Sequence, residues 1–331
     1  MPLGLGLALS HSPVLYRPRE SWGNIYTKLI GDTPQPARAA EETEEVLDGY
    51  AQRVAAGFRE LRSQLEKYKP DALVVLVSDK RRLFDETQVP QLHIYKNSEI
   101  WGSTRYTELG EEESEDARIS IPCHDSLAGF LAEELTWEGF DVNISRGRFT
   151  PLGDPEGGVG HALTDPVKEL IPNLDIPIVP IHINGHVNPA ISAHRLVPFG
   201  RAIAKVLADL PERVAILASG GLTGDPHGYL AGWIDEMLDG WILTRLRRGR
   251  TEQLKTLFDM DSTTLRGATR EVRLWIALGA AMESAGGKSI LLDYIRFHHA
   301  TVGTAFAYWD PLQRSLDAKV SDLDVIPAFL G

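Results

Sequence analysis

The stretch LGLGLALSHSP, residues 3–13, decides the fold. Its first part, Leu3–Leu9, contains only apolar residues and glycine, and the polar turn Ser10-His11-Ser12-Pro13 follows at once. A run that is apolar at every position is typical of a strand buried on both faces, as in a parallel sheet covered by helices. The sequence therefore predicts a buried strand that delivers His11 to a loop at its C-terminal end.

Other apolar runs end in polar or glycine-rich loops in the same way. Residues 72–77 lead into Ser78-Asp79-Lys80, and residues 214–218 lead into the loop 219–228, which contains His227. The run IPIVPIHIN, residues 176–184, carries two prolines that remove backbone donors, so we expect an edge strand or an irregular ladder there. The segments between these runs, and the part of the chain after residue 228, show either apolar residues at helical spacing or a further β-like run. The predicted helices span 38–68, 124–138, 163–171, 192–210 and 229–246, with shorter ones up to 283, and β-like stretches cover 140–145 and 290–308.

Strands that alternate with helices in this order predict an α/β fold, in which helices cover both faces of a central mixed sheet. No internal repeat, linker or low-complexity tract interrupts the sequence. We therefore expect a single domain over residues 1–331.

Composition and charge narrow the class of protein. The sequence has 34 Lys and Arg against 46 Asp and Glu, a net charge of −12, and 43% hydrophobic residues. These values are typical of a globular protein, and the negative charge opposes binding to nucleic-acid phosphates. The apolar start is too short to cross a bilayer and lacks the basic residues of a signal peptide. The single cysteine, Cys123, excludes an intrachain disulfide, so we expect a cytoplasmic protein. From the charge and the short apolar start we expect neither a nucleic-acid nor a membrane partner.

The ends of parallel strands meet at one edge of a sheet, where α/β proteins bind ligands. We therefore expect a pocket that holds His11, Lys80, His161 and His227, with the last three as candidate catalytic residues and all four as candidate substrate-binding residues. Three further histidines have no spacing that directs them to a common metal, and we interpret them as structural or surface residues. They are His182, His186 and His194.

Several segments, in order along nearly the whole chain, carry a family resemblance. They are SHSP at 10–13, VVLVSDKRRLFDE from 74, GHALTDPVKELIP from 160, IPIVPIHIN from 176, FGRAIAKVL from 199, SGGL from 219, GWID from 232 and RFHHATVGTAFAY from 296. With these segments the chain resembles the class III extradiol ring-cleavage dioxygenases of the protocatechuate meta-cleaving type. The resemblance implies the α/β fold of that family and an Fe(II) centre held by two histidines and one glutamate.

Carried over by position, the resemblance preserves part of that centre. It assigns the first iron histidine to His11 and a pocket histidine to His161. Lys80 stands where the second iron histidine belongs, Met237 stands where the glutamate belongs, next to Glu236, and Gly224 stands where an acid–base histidine belongs. Protonated lysine has no lone pair and methionine is a neutral thioether, so we expect no metal and no cofactor.

Three functions follow as alternatives. The first is a non-catalytic or regulatory subunit or paralogue in aromatic-compound metabolism, as a homo-oligomer or as a heteromer with a related dioxygenase subunit, with a small aromatic ligand. The second is a metal-independent enzyme that uses Lys80 and the pocket histidines on an aromatic or carbonyl substrate. The third is an active ring-opening dioxygenase that binds Fe(II) at an atypical site.

Overall fold

The computed structural model describes residues 2–79, 83–84, 88–106, 109–112, 114–146 and 158–310. The strands in this part are β1 (Leu3–Leu9), β2 (Ala72–Val77), β3 (Leu92–Lys96), β4 (Glu99–Ser103), β5 (Arg118–Pro122), β6 (Asn143–Arg146), β7 (Ile178–Ile183), β8 (Val214–Ser219), β9 (Lys288–Phe297) and β10 (Val302–Asp310). The helices are α1 (Trp22–Ile30), α2 (Glu44–Tyr68), α3 (Asp125–Trp137), α4 (His161–Leu170), α5 (Ala193–Leu207), α6 (Glu236–Arg247) and α7 (Val272–Ser284). Lys80, a candidate pocket residue, lies outside the described residues.

Eight of these strands form one sheet in the order β6-β3-β7-β2-β8-β1-β10-β9, and β4 pairs with β5 separately. Parallel pairing joins β7 to β2, β2 to β8 and β8 to β1. Antiparallel pairing joins β3 to β7, β10 to β1 and β9 to β10, while β6 runs parallel to β3. The predicted mixed sheet is confirmed, and the C-terminal ends of β7, β2, β8 and β1 lie at one edge.

The apolar run Leu3–Leu9 forms an interior strand, and every residue of β1 is buried. Leu9 pairs with Ser219 of β8 on one side and with Phe306 of β10 on the other. His11 therefore leaves the sheet at the same edge as the glycine-rich loop that follows β8.

Helices cover both faces of the sheet, as predicted. Alternate residues of β2 show the division: Leu73 and Val75 pack in the core that contains α2 and α4, whereas Val74 and Leu76 pack in the core that contains α3, α5 and α7. A strand flanked by helices on both faces has no polar side, which explains the continuous apolar sequence of β2.

Of the two arrangements predicted for β7, the edge position is wrong, because β7 lies between β3 and β2, and the ladder to β3 is the irregular one. Pro180 pairs with Val75 of β2 in the parallel ladder, while β3 pairs only with Ile181–Ile183. Pro180 thus lies outside the β3 ladder, and Pro177 precedes the strand and contributes only its carbonyl, which accepts the N–H of Leu73. The two prolines are accommodated by limiting the pairing of an interior strand.

Several other predicted boundaries differ, and α1, β3, β4 and β5 were not predicted. Helix α2 begins at Glu44 instead of 38, because the hydroxyl of Thr43 accepts the N–H of Val46 and caps the helix there. Helix α6 begins at Glu236 instead of 229, because the carboxylate of Asp235 accepts the N–H of Leu238 and caps the helix there. The β-like stretch over 290–308 is two antiparallel strands, with His298 and His299 in the 3-10 turn between them. Among the described helices, none combines the length and the apolar character needed to cross a bilayer.

Candidate functional site

Loops at the C-terminal edge of the sheet bring several polar side chains together. His11 follows β1, His186 follows β7, and Glu271 lies immediately before α7. The guanidinium of Arg270 donates to the backbone carbonyl of His186 over 2.7 Å, which ties the loop after β7 to the segment before α7. We call His11, His186 and Glu271 the histidine–glutamate cluster.

Glu271 is the centre of this cluster, and its side chain is fully buried. Its Oε1 lies 2.9 Å from Nε2 of His186, and its Oε2 lies 3.5 Å from Nε2 of His11. The backbone N–H of Gly221 also donates to Oε2, over 3.1 Å. Burying a carboxylate is costly unless donors or cations surround it, so these contacts determine where the carboxylate lies.

The glycines after β8 allow this approach. Gly220 and Gly221 have φ angles of 148° and 66°, which side-chain-bearing residues rarely adopt. A Cβ on Gly220 would lie 2.8 Å from the Cβ of Glu271. Just before them, the hydroxyl of Ser219 lies 3.3 Å from Nδ1 of His11 and donates to the carbonyl of Ala162 over 2.8 Å. The loop therefore positions both His11 and Glu271.

His161 lies beside the cluster as the first residue of α4. Its ring centroid is 5.5 Å from that of His11, edge to face, and 4.5 Å from that of Tyr106. The Tyr106 hydroxyl donates to the carboxyl of Asp165, one turn further along α4. Burial raises the pKa of Asp165 to about 7, although the charges of Arg17 and Lys168 act to lower it. Two of the four sequence candidates, His11 and His161, are thus side by side.

The other candidates lie elsewhere or outside the described residues. His227 is exposed, with φ 61°, and its backbone N–H donates to the carbonyl of Leu29. No contact described for it reaches the histidine–glutamate cluster. Met237, where the resemblance places the iron glutamate, is 86% exposed near the start of α6, and Glu236 pairs with Arg38 at 2.6 Å. The buried carboxylate beside His11 is Glu271 instead.

The loop after Gly221 is fixed by a second buried carboxyl. Both the N–H and the hydroxyl of Thr223 donate to Asp239 over 2.9 Å, and the hydroxyl of Tyr294 donates to it over 2.8 Å. Burial raises the pKa of Asp239 to about 7, against these hydrogen bonds, which lower it. The N–H of Gly224 donates to the hydroxyl of Thr269. The position that the resemblance gives to an acid–base histidine thus belongs to Gly224, which has no titratable side chain.

A separate buried pair of histidines lies in the sheet. Nδ1 of His93 is 3.2 Å from Nδ1 of His182, and Nε2 of His93 is 2.8 Å from the hydroxyl of Ser145. Burial, with the charge of His182 in addition, lowers the pKa of His93 to about 2, and burial lowers that of His182 to about 4. Both rings are therefore neutral at ordinary pH, which agrees with a structural role for His182.

Two imidazoles and one carboxylate are the donor types of a two-histidine, one-carboxylate iron centre. In the described part of the chain, however, no group of three or more His, Cys, Asp or Glu side chains is arranged so that it could hold a metal ion. The two histidines of the cluster approach different oxygens of Glu271, and one of these oxygens also accepts the N–H of Gly221. As they are placed, these residues fit iron in donor type but not in arrangement.

Sequence reasoning missed His186 and Glu271. The signal for His186 was available, since Asn184-Gly185-His186 follows β7 as His11 follows β1, but its spacing from His182 and His194 indicated no common metal and led to its interpretation as a structural or surface residue. Glu271 has no comparable signal, because its partners Gly221 and His186 lie 50 and 85 positions away in the sequence.

Comparison with curated proteins finds relatives named 2,3-dihydroxyphenylpropionate/2,3-dihydroxicinnamic acid 1,2-dioxygenase. The chain is 26% identical to that of Photorhabdus laumondii over 200 residues, 60% of this chain and 56% of the relative. It is 26% identical over 174 residues to a second form from Dechloromonas aromatica, 52% of this chain and 49% of the relative. The chain thus spans about half the length of these two relatives. With the Azotobacter vinelandii protein, identity is 24% over 280 residues, 71% of this chain and 84% of the relative.

Among solved structures, an uncharacterized protein of Escherichia coli K12 is similar at a TM-score of 0.48 and 17% identity, covering 92% of this chain and 99% of that one. The family described as the catalytic LigB subunit of aromatic ring-opening dioxygenase matches residues 35–307, most of the chain. The resemblance inferred from the sequence is therefore confirmed, and the chain belongs to the LigB family.

Proposed function

We propose that the chain is a LigB-family protein of aromatic-compound metabolism that binds a small aromatic ligand beside His11 and His161 without an iron centre, as a non-catalytic or regulatory subunit or paralogue. The observation that carries this proposal is the histidine–glutamate cluster, in which imidazole and amide nitrogens surround both oxygens of Glu271. A carboxylate that protein groups compensate in this way does not require a metal cation for its burial.

The loop after β8 supports a binding role. Acid–base catalysis needs a titratable group within hydrogen-bond reach of the reacting atoms. Here Gly224 has no side chain, and the hydroxyl of Thr223 is engaged by Asp239. At these two positions the loop therefore offers a bound ring a wall without an acid–base group.

The ligand class follows from the family and from the pocket. The relatives are named for dihydroxylated aromatic acids, and imidazole nitrogens such as those of His11 and His161 form hydrogen bonds with ring hydroxyls. We therefore propose a small hydroxylated aromatic compound as the ligand. The proposed partner is a second copy of the chain or a related dioxygenase subunit.

An active dioxygenase with an atypical metal site is the second candidate, and the donor types of the cluster favour it. His11, His186 and Glu271 would hold the metal, and Fe(II) would supply the positions at which a catechol and dioxygen bind. Metal-independent chemistry is the third candidate, with Lys80 and His161 as its groups; His227 is exposed and is not among them. This third candidate is favoured by the 5.5 Å separation of the His161 and His11 rings.

Iron analysis combined with oxygen uptake distinguishes these candidates. The purified chain is incubated anaerobically with Fe(II), desalted, and assayed with 2,3-dihydroxyphenylpropionate and 3,4-dihydroxybenzoate. We expect less than about 0.1 iron per chain and no catechol-dependent oxygen uptake.

About one iron per chain, with oxygen uptake that His11→Ala and His186→Ala both abolish, would overturn the proposal in favour of the metal site. Turnover that survives chelator and disappears in Lys80→Ala would instead support metal-independent chemistry. Asp259 forms an exposed pair with His194, so His194→Ala is the matched histidine control.

A further inference from the structure

A separate cavity lies between the loop that follows β7 and the segment 258–273, which leads into α7. Its volume is about 600 Å³, within the range of small-ligand sites. Three arginines line it, Arg266, Arg270 and Arg273, and we call it the arginine cavity. None of the three residues of the histidine–glutamate cluster lines it, and neither do Gly224 and Met237.

Arg273, in the first turn of α7, is the most buried of these arginines, with 6% of its surface exposed. Its Nε donates to the carbonyl of Ile191 over 2.7 Å, and its Nη1 donates to the carbonyl of Arg270 over 3.1 Å. Its guanidinium carbon lies 3.6 Å from the ring centroid of Phe258. These contacts fix the plane of the guanidinium, while Nη2 donates to no atom in the described part of the chain. Arginine is almost never buried to this extent unless it is paired.

Arg270 brings a second positive charge to the cavity. Its Nη1 donates to the carbonyl of His186, a neutral acceptor that compensates no charge. Desolvation lowers the pKa of Arg273 to about 10, and the positive charge of Arg270 acts in the same direction. An anion near both guanidinium groups would offset the burial of one and the repulsion between the two.

The carboxylates of the cavity form ion pairs with other groups. Asp259 lies 2.8 Å from His194, and Asp261 lies 3.6 Å from Arg266. The Asp261 side chain is 88% exposed, so most of its surface faces solvent. Among the residues that the structure describes, no carboxylate forms an ion pair with Arg270 or Arg273. These two guanidinium groups are therefore the charges that protein groups leave uncompensated in the cavity.

The chemical class of the ligand follows from this charge. Two guanidinium groups are balanced by a dianion, and the planar fork of arginine matches the oxygens of phosphate. A monocarboxylate would balance only one of the two charges. Phe258, the aromatic residue among the described lining residues, already stacks on Arg273. The cavity thus favours a small, doubly charged polar anion over an aromatic one.

We propose that the arginine cavity binds a phosphate dianion, either free or as the phosphoryl group of a small metabolite, with its oxygens on the guanidinium groups of Arg270 and Arg273. The proposal stands apart from the function proposed above, because the histidine–glutamate cluster contributes no residue to this cavity. Since Arg270 also donates to the carbonyl of His186, the bound anion would hold the side chain that ties the loop after β7 to α7.

Calorimetric titration of the full chain with inorganic phosphate, in dilute buffer at about pH 8, tests this proposal. Arg270→Gln removes one charge, and we expect it to weaken binding at least about tenfold. Arg273→Lys keeps the charge but loses the fork, and it should also weaken binding. Arg247→Gln removes an exposed arginine outside the cavity and serves as the matched control, with unchanged affinity.

Two measurements on the unmodified chain do not depend on how any variant folds. Acetate, a monoanion, should bind at least about tenfold more weakly than phosphate. Glycerol 3-phosphate distinguishes the two sources of the anion: tighter binding than inorganic phosphate indicates a phosphorylated metabolite, and weaker binding indicates free phosphate.

No binding of phosphate at up to about 20 mM would overturn the proposal, as would equal affinity for phosphate and acetate. Unchanged binding in a folded Arg270→Gln variant would do the same. A loss of binding in His11→Ala with full binding in Arg270→Gln would assign the anion to the histidine–glutamate cluster and contradict the proposal. Retention in His11→Ala, together with loss in Arg270→Gln, supports the arginine cavity whatever the iron and oxygen measurements show.

Discussion

Replacing Glu271 with alanine should destabilise the protein far more than an ordinary glutamate substitution does. The change leaves the imidazoles of His11 and His186 and the N–H of Gly221 around an empty, buried position. Removing one partner of a buried charged group costs about 3–5 kcal/mol, and an unsatisfied buried amide alone costs about 1–3 kcal/mol. The His186 side chain is 16% exposed and can regain water, so we expect a total near the lower end, about 3–4 kcal/mol. That is a large share of the usual stability of a folded protein, about 5–15 kcal/mol.

Urea unfolding followed by circular dichroism measures this loss as a lower midpoint at an unchanged slope. Glu252→Ala is the matched control, because Glu252 contacts Arg201 at 2.7 Å and Lys255 at 2.8 Å but is half exposed. Exposed pairs contribute at most about 1 kcal/mol, so this variant should unfold close to the unmodified chain. If the two variants lose the same free energy of unfolding, our reasoning about the buried cluster is wrong.

Two further outcomes follow from the buried carboxyls. The pKa of Asp239 is raised from 3.8 to about 7 in the folded protein, so between these values the folded state holds a proton that the unfolded chain has lost. The free energy of unfolding should therefore fall as pH rises from about 4 to about 7, and Asp239→Asn should reduce that fall, leaving the part due to Asp165. Urea unfolding across this pH range would contradict the prediction if both proteins had the same slope. Tyr106→Phe removes the hydroxyl that donates to Asp165 but keeps the ring against His161. In urea unfolding it should lower the free energy of unfolding by about 1–2 kcal/mol. No measurable loss would show that this hydrogen bond does not stabilise the protein.

The central strands were predictable from the sequence, because a strand buried on both faces has an uninterrupted apolar sequence. Strands β1, β2 and β8 lie where their apolar runs predicted, and their parallel pairing gathers the loops as expected. The position of β7 was not predictable from its prolines alone. A proline interrupts the ladder only where the neighbouring strand would need its N–H, so its effect depends on how far that strand extends. The local sequence does not contain that information.

The candidate site was predictable only in part. His11 and His161 follow local patterns, and the structure places them in contact. Glu271 acquires its role from residues distant in the sequence. The segment 235–239, which resembled the family's glutamate motif, caps and begins α6 instead, with Met237 on the exposed side of the helix. The start of α6 is decided by the Asp235 cap, so a hydrophobic pattern that continues upstream could not locate it.

The position of β1 in the sheet has a consequence for synthesis of the chain. β1 is made among the first residues, yet Leu9 pairs with Ser219 and Phe306, which are made far later. At about 5–20 residues per second, a ribosome needs about 15–60 s to reach the second of these partners. β1, which has no polar side chain, has both edges open until β8 is made, and one edge stays open until β10 is made; such segments aggregate readily. Truncation before β10 would leave that strand permanently unpaired on one side.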